Sequence, residues 1–264
     1  MVDYTITSLE EIIAYDIATG AWKFTLDELQ SASLAQSQEK TDITGKQGRK
    51  LNSLKKNKAL NVSGANGLVS TGLLSLQTGG DFKTEVCEID WAETLIADAS
   101  NEVTTSYLAI GTSGNEIKEV LVKDASGMVV STLEQNASVS AGKFTYTPGT
   151  KKIKMHTDIA EGTEVYVHYT RKITAERMIN DSGKYSEKCR LIINAMCEDK
   201  CANIYRMQIE IPKADFDGNF TFDMGDNQTV HNFEAESLAG TCGNAGQFFT
   251  WTIFGVNTAD YTAD

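Results

Sequence analysis

The 264-residue sequence contains no apolar run approaching the roughly 20 residues that cross a bilayer as a helix, so it predicts no membrane span. Its first residues, MVDYTITSLEE, have neither a basic stretch nor an apolar one. That absence excludes a secretory signal and favours synthesis in a cytoplasm without export.

Cysteine is scarce as well. The five cysteines are odd in number and irregular in spacing, which is not the pattern of a disulfide framework. We therefore expect reduced, mostly buried thiols. The pair in CEDKC (197–201) has no second pair nearby, so a zinc site is not indicated.

Motifs that carry catalysis are also missing. GANG (64–67) lacks the GK[ST] of a phosphate-binding loop, and neither His156 nor His168 accompanies a nucleophile elbow. The sequence predicts no enzyme and no cofactor.

One segment does concentrate metal-ligand residue types, namely Asp223, Asp226, His231 and Glu234. Strand periodicity separates them, because His231 shares a face with Phe233 and not with Glu234. The spacing matches neither a calcium loop nor an HExxH helix. A hairpin with one polar face is the preferred interpretation, and no metal site is predicted.

Alternation of apolar and polar residues predicts a mainly β protein. In YRMQIEIP (205–212) the alternation is clear, and Pro212 is expected to stop the strand. Other C-terminal strands, joined as an antiparallel meander or half of a sandwich, are predicted at 186–196, 219–224, 229–238 and 247–256.

The middle of the chain predicts a small sheet of its own, with strands at 105–111, 117–134, 143–156 and 163–173 and a short helix at 91–99. Near the N-terminus, SLEE (8–11) matches a helix capping box, whereas the following residues favour a hairpin across ATG (18–20) with strands after residue 12. STGLLSLQTGG (70–80) predicts one short helix ended by glycine.

Charge is distributed unevenly. The chain carries a net charge of -12, yet residues 41–58 carry +5, which leaves -17 elsewhere. Residues 214–264 contain eight acids and no Lys or Arg. Attraction between these segments of identical subunits is one interpretation, and an unevenly charged solvated surface is the other. Nucleic-acid binding by the basic run is less favoured, because it lacks interleaved aromatic residues.

ATGAWKFTLDELQ, TDITGK and STGLLSLQTGG resemble the N-terminal half of major tail tube proteins from long-tailed bacteriophages. RMQIEIPKADFDGNFTFDM and TVHNFEAESLA resemble their closing strands, so the resemblance covers roughly 15–84 and 185–255. It implies an antiparallel β-sandwich or barrel with a short flanking helix. It also implies a structural protein of the virion tail, made in the host cytoplasm and assembled into stacked hexameric rings. The implied partners are further copies, a tape-measure protein, tail-end proteins and double-stranded DNA that passes through without specific binding.

The predicted organisation is a tail-tube core at 1–84 and 174–264, with an inserted small β module at 85–173. The polar, glycine-punctuated loop 36–50 is expected to make subunit contacts. The candidate interface residues are Lys46, Arg49 and Lys50, and the candidate lumen-facing residues are Asp223, Glu234 and Glu236.

Two alternatives stay open. One is another phage structural protein, such as a capsid decoration or baseplate component. The other is a carbohydrate-binding β-sandwich, which the scattered positions of Trp22, Trp91 and Trp251 disfavour.

Overall fold

The structure is a computed structural model that describes residues 2–222, 230–239 and 246–256. Within these ranges the chain forms the following elements in order: β1 (Tyr4–Asp16), β2 (Trp22–Leu26), β3 (Leu29–Thr44), a 3-10 turn (Lys46–Gly48), β4 (Lys50–Asn66), α1 (Thr71–Thr78), β5 (Lys83–Ile96), β6 (Glu102–Thr104), β7 (Ile117–Lys123), β8 (Val129–Gln135), β9 (Lys143–Thr147), β10 (Lys152–Lys154), β11 (Glu164–Arg177), β12 (Lys188–Asp199), β13 (Ile204–Phe216), β14 (His231–Ser237) and β15 (Thr250–Gly255). The predicted fold class, mainly β with antiparallel sheets and a short helix, is confirmed.

The described residues divide into two compact units. Unit 1 comprises the chain up to Phe82 and from Met178 onward, and unit 2 is Lys83–Arg177. Each unit has its own apolar core. Unit 2 includes residues 85–173, and the role of that segment as an insertion in an assembling core stays a prediction.

Unit 1 is an eight-stranded sheet in the order β2-β1-β12-β13-β14-β4-β3, with β15 paired to β13. The alternating apolar residues of its strands meet on one face, where Ile12, Leu191, Ile211 and Phe233 are buried. Helix α1 packs its leucines into the same core. The predicted helix at 70–80 is therefore confirmed.

The ends of α1 follow from local sequence. The Ser70 side chain accepts a hydrogen bond from the backbone N–H of Leu73, as an N-cap does. Gly79 ends the helix at a φ of 68°, and its N–H donates to the Ser75 carbonyl. The predicted hairpin across residues 18–20 is also confirmed, since β1 and β2 pair on either side of it.

The capping box at 8–11 does not begin a helix, because Leu9 and Glu11 pair with β12, and the favoured strand starts earlier than expected, at Tyr4. Two other expectations for unit 1 differ from the structure. Pro212 does not stop β13, since a β-bulge between the pairs Leu191–Ile211 and Cys189–Ala214 accommodates a residue without an N–H. Of the two arrangements expected for the C-terminal strands, a meander or half of a sandwich, a simple meander does not form, because β15 pairs with β13 and β14 pairs with β4.

The strand predicted at 219–224 is not present in its described part, since residues 219–222 have no strand pairing. Phe222 instead packs its ring against His231, with centroids 4.8 Å apart.

Unit 2 is a seven-stranded sheet in the order β5-β11-β7-β8-β9-β10-β6. The hairpins predicted within 117–134 and 143–156 are confirmed as β7–β8 and β9–β10. The helix predicted at 91–99 is wrong, because β5 pairs with β11 along its whole length. Residues 105–111 form only an isolated bridge at Ile110 and not the predicted strand.

Candidate assembly surfaces

The most exposed element is the outer half of the β3–β4 ribbon, residues 35–58, which we call the arm. All of its residues except Gly45 and Ser53 are exposed. Leu51 and Leu54 are 59% and 55% exposed, although both are apolar. Because both faces of the arm are exposed, both are available for contacts with other molecules. Such contacts would stabilise the arm, since an isolated two-stranded ribbon is only marginally stable in water.

The arm brings together the three predicted interface residues. Lys46 and Arg49 lie in its tip, and Lys50 forms an ion pair with Asp42 at 2.7 Å. The expected loop at 36–50 is shorter than predicted, because strand pairing continues along β3 to Thr44. Only residues 45–49 form the connection, so a paired two-stranded ribbon presents the charges.

Strand β14 presents the described lumen-facing candidates. Asn232, Glu234 and Glu236 are exposed, whereas the alternate residues, beginning with His231 and Phe233, are buried. This confirms that His231 shares a face with Phe233 and not with Glu234. Asp223 and Asp226 lie outside the described residues.

His231 belongs to a buried polar cluster that the sequence did not reveal. Its Nε2 lies 2.8 Å from Oε1 of Gln77, and Nδ1 accepts a hydrogen bond from the backbone N–H of Ser70. Gln77 in turn donates to the carbonyl of Asn232. Burial lowers the pKa of His231 to about 4, so the ring is neutral near pH 7. The cluster fastens α1 to β14 and gives no sign of catalysis.

The cysteines and remaining histidines occupy separate places. Cys87, Cys189 and Cys197 are buried free thiols, and Cys201 is exposed in the turn after β12. Burial raises the pKa of Cys189 to about 12, which makes its thiol unreactive. Among residues 2–222, 230–239 and 246–256, no three His, Cys, Asp or Glu side chains converge as metal ligands.

No helix within the described part of the chain is long and apolar enough to cross a membrane.

Comparison with known proteins identifies a family for the chain. A search of curated proteins finds no match. A model of the YomU/Tube protein family matches residues 4–250, which is nearly the whole chain and includes both units. The chain therefore belongs to the YomU/Tube protein family, a family of structural, tube-like proteins of bacteriophages.

Proposed function

We propose that this protein is the subunit of a phage tail tube, which assembles as stacked hexameric rings and conducts the genome during delivery. The observation that carries the proposal is the arm, an exposed β-ribbon on a sheet with unpaired edges in a member of a tube family. The virion tail is the corresponding location, after synthesis in the host cytoplasm.

Unpaired strand edges support assembly with further copies. β2 and β3 end the sheet of unit 1, and β2 covers only Ile12–Tyr15 of β1. Within the described part of the chain, residues 4–11 of β1 thus pair with a strand on one side only, namely β12. Exposed edges promote aggregation unless another strand or subunit covers them. A closed ring would cover the same edges in every copy.

The charge of the arm supports contacts between rings. The arm includes the segment 41–58, which carries +5 in a chain of net charge -12. A basic ribbon is attracted to the acidic surface of another copy, and such attraction orients the docking of identical subunits.

The exposed face of β14 supports an acidic channel. Glu234 and Glu236 lie on that face, and no Lys or Arg occurs from residue 214 onward. In a ring the carboxylates of all copies would add their potentials and keep phosphate groups from binding the wall. DNA would then pass without specific binding, as would a tape-measure protein before it, and tail-end proteins would close the tube.

Negative-stain electron microscopy of the purified protein tests this function. Rings about one subunit thick, or tubes built from them, are the expected result. Isolated monomers at all protein concentrations would contradict it. Spherical lattices or baseplate-like assemblies would favour the other phage structural roles, and monomers retained on a glycan array would favour carbohydrate binding.

A further inference from the structure

Unit 2 holds one arginine in an unusual setting. Arg171 of β11 is only 9% exposed, and its guanidinium carbon lies 3.5 Å from the ring centre of Tyr107 and 4.5 Å from that of Trp91. The two rings meet edge to face, with centroids 5.3 Å apart and an angle of 87°. Contact with both rings restricts the orientation of the guanidinium group, whose N–H groups point outward from its edge and can donate hydrogen bonds.

Among the described residues, no carboxylate lies within ion-pair distance of Arg171 to balance its positive charge. Glu93, on the neighbouring strand β5, is already engaged by the backbone N–H of Ser106 at 2.8 Å and the hydroxyl of Tyr169 at 2.8 Å. These contacts of Glu93 hold the segment that carries Tyr107. They thereby fix the group formed by Arg171, Tyr107 and Trp91, which we call the Arg171 clamp.

Two N–H donors at this point also have no partner. Nε of Arg171 and Nε1 of Trp91 are buried without a hydrogen-bond acceptor among the described residues. Buried donors are nearly always paired in folded proteins, so these two indicate an acceptor that the described residues do not supply. While it remains unpaired, each of the two donors lowers the free energy of unfolding by roughly the contribution of one hydrogen bond.

We propose that the Arg171 clamp is a binding site for an oxyanion, a carboxylate or phosphate group attached to an apolar or ring-shaped body. A guanidinium held by two rings offers a pre-oriented fork that matches both groups in a bidentate manner. Tyr107 and Leu108 are 42% and 49% exposed beside it, and they offer an apolar surface for the rest of the ligand. Binding at this site would involve residues of unit 2 only and does not depend on tube formation.

Titration of the full-length wild-type protein by NMR tests the site. Benzoate and phenyl phosphate are the probes for the carboxylate and the phosphate, and uncharged benzyl alcohol is the control for the body of the ligand. The indole N–H of Trp91 and the Nε–H of Arg171 should shift with one or both anions. The indole N–H of Trp22, which already donates to Thr25, should not shift.

Variants give the second measurement. Arg171→Met should weaken binding of the anion at least roughly tenfold, because charge-assisted hydrogen bonds contribute that much or more. Arg177→Met, the same change at an exposed position of β11, should leave the affinity unchanged.

Three results would overturn the proposal. The first is that the NMR signal of the Trp91 indole N–H shifts with neither anion, which would mean that water alone fills the site. The others are equal shifts with benzyl alcohol and undiminished binding of the anion by Arg171→Met. If that variant does not fold, the wild-type titration decides the question.

Discussion

His231 joins β14 to both ends of helix α1, because its Nε2 lies 2.8 Å from Oε1 of Gln77 in the last turn and its Nδ1 accepts from Ser70 at the N-cap. These partners place the proton on Nε2 and require an unprotonated Nδ1. Protonation of Nδ1 would place an N–H group opposite the backbone N–H of Ser70, so that two donors face each other. The ring of Phe222 also packs on His231, and among the described residues no charged group contributes to the pKa of His231, so none of them compensates the added charge.

Acid should therefore destabilise unit 1. The pKa of His231 falls from 6.5 to about 4 on folding, so the unfolded chain binds the proton more tightly. The stabilisation is complete above pH 6.5 and is lost as the pH falls towards 4, by roughly 3 kcal/mol in free energy of unfolding. Urea unfolding of the wild-type protein between pH 7 and pH 4 measures it.

The control is His231→Phe, which fills similar space and cannot titrate. Its stability should be lower near pH 7, because Ser70 and Gln77 lose their partner, and it should fall less than that of the wild-type protein between pH 6.5 and 4. The remaining loss comes from carboxyl groups of unit 1 whose pKa folding lowers, such as Asp16 and Asp199. Equal pH dependence in both proteins would show that His231 is not responsible.

Reversing the charges of the arm should weaken ring stacking. In the variant with Lys46, Arg49 and Lys50 changed to Glu, the tip is acidic and repels an acidic partner. Wild-type tubes should shorten as salt rises, whereas residual assembly of the variant should depend less on salt. Light scattering and electron microscopy over a salt series measure both.

A matched charge reversal elsewhere in the chain distinguishes the effect of the position of the charges from the effect of the net charge. Changing Lys123, Lys143 and Lys172 of unit 2 to Glu alters the net charge equally, and Lys172 also has a carboxylate partner, Glu88. Stacking should survive this change. Loss of tubes in both variants would indicate a net-charge effect without a special role for the arm.

Basic residues on the exposed face of β14 should slow genome delivery. Glu234→Lys with Glu236→Lys should fold normally, because exposed substitutions usually cost within about 0.5 kcal/mol. Phosphates would then be attracted to the channel wall. Phage carrying the variant should assemble tails but eject DNA more slowly. The pair Glu134→Lys and Glu164→Lys in unit 2 is the control, and equal effects would place Glu234 and Glu236 away from the lumen.

Unit 2 should be dispensable for assembly. Asp90 and Thr170 lie opposite each other in the β5–β11 ladder, so an Asn-Gly turn can replace residues 91–169 and close the shortened hairpin. The shortened protein should still form rings, as seen by electron microscopy. Soluble protein without rings would assign unit 2 a part in assembly.

Gly79→Ala should destabilise unit 1 more than the backbone conformation alone explains. An added Cβ would lie 2.3 Å from the carbonyl oxygen of Tyr185, at a φ of +68°. Gly20 has a φ of +69° with open space around it, so Gly20→Ala should cost only about 1 kcal/mol. Thermal unfolding of the two variants should differ clearly, and equal midpoints would show that the contact relaxes without cost.

Local signals predicted α1 and the hairpins correctly, because caps and turns depend on a few adjacent residues. The wrong helix at 91–99 and the misleading capping box at 8–11 have one cause. Both segments carry local helix signals, yet each lies in a long strand whose pairing with β12 or β11 outweighs weak helix propensity. Of the candidate site residues, the sequence correctly assigned the faces of His231 and Glu234, because both lie in one regularly alternating strand.

The sequence by itself determined which side of each strand is apolar and where charge accumulates, because side chains alternate with period two and charge is a property of composition. Only the tertiary structure decided which segments meet. Arg171 contacts Trp91 and Tyr107, and His231 contacts Gln77, across wide sequence separations. No spacing along the chain encodes these contacts, since they depend on the order in which strands pair within each sheet.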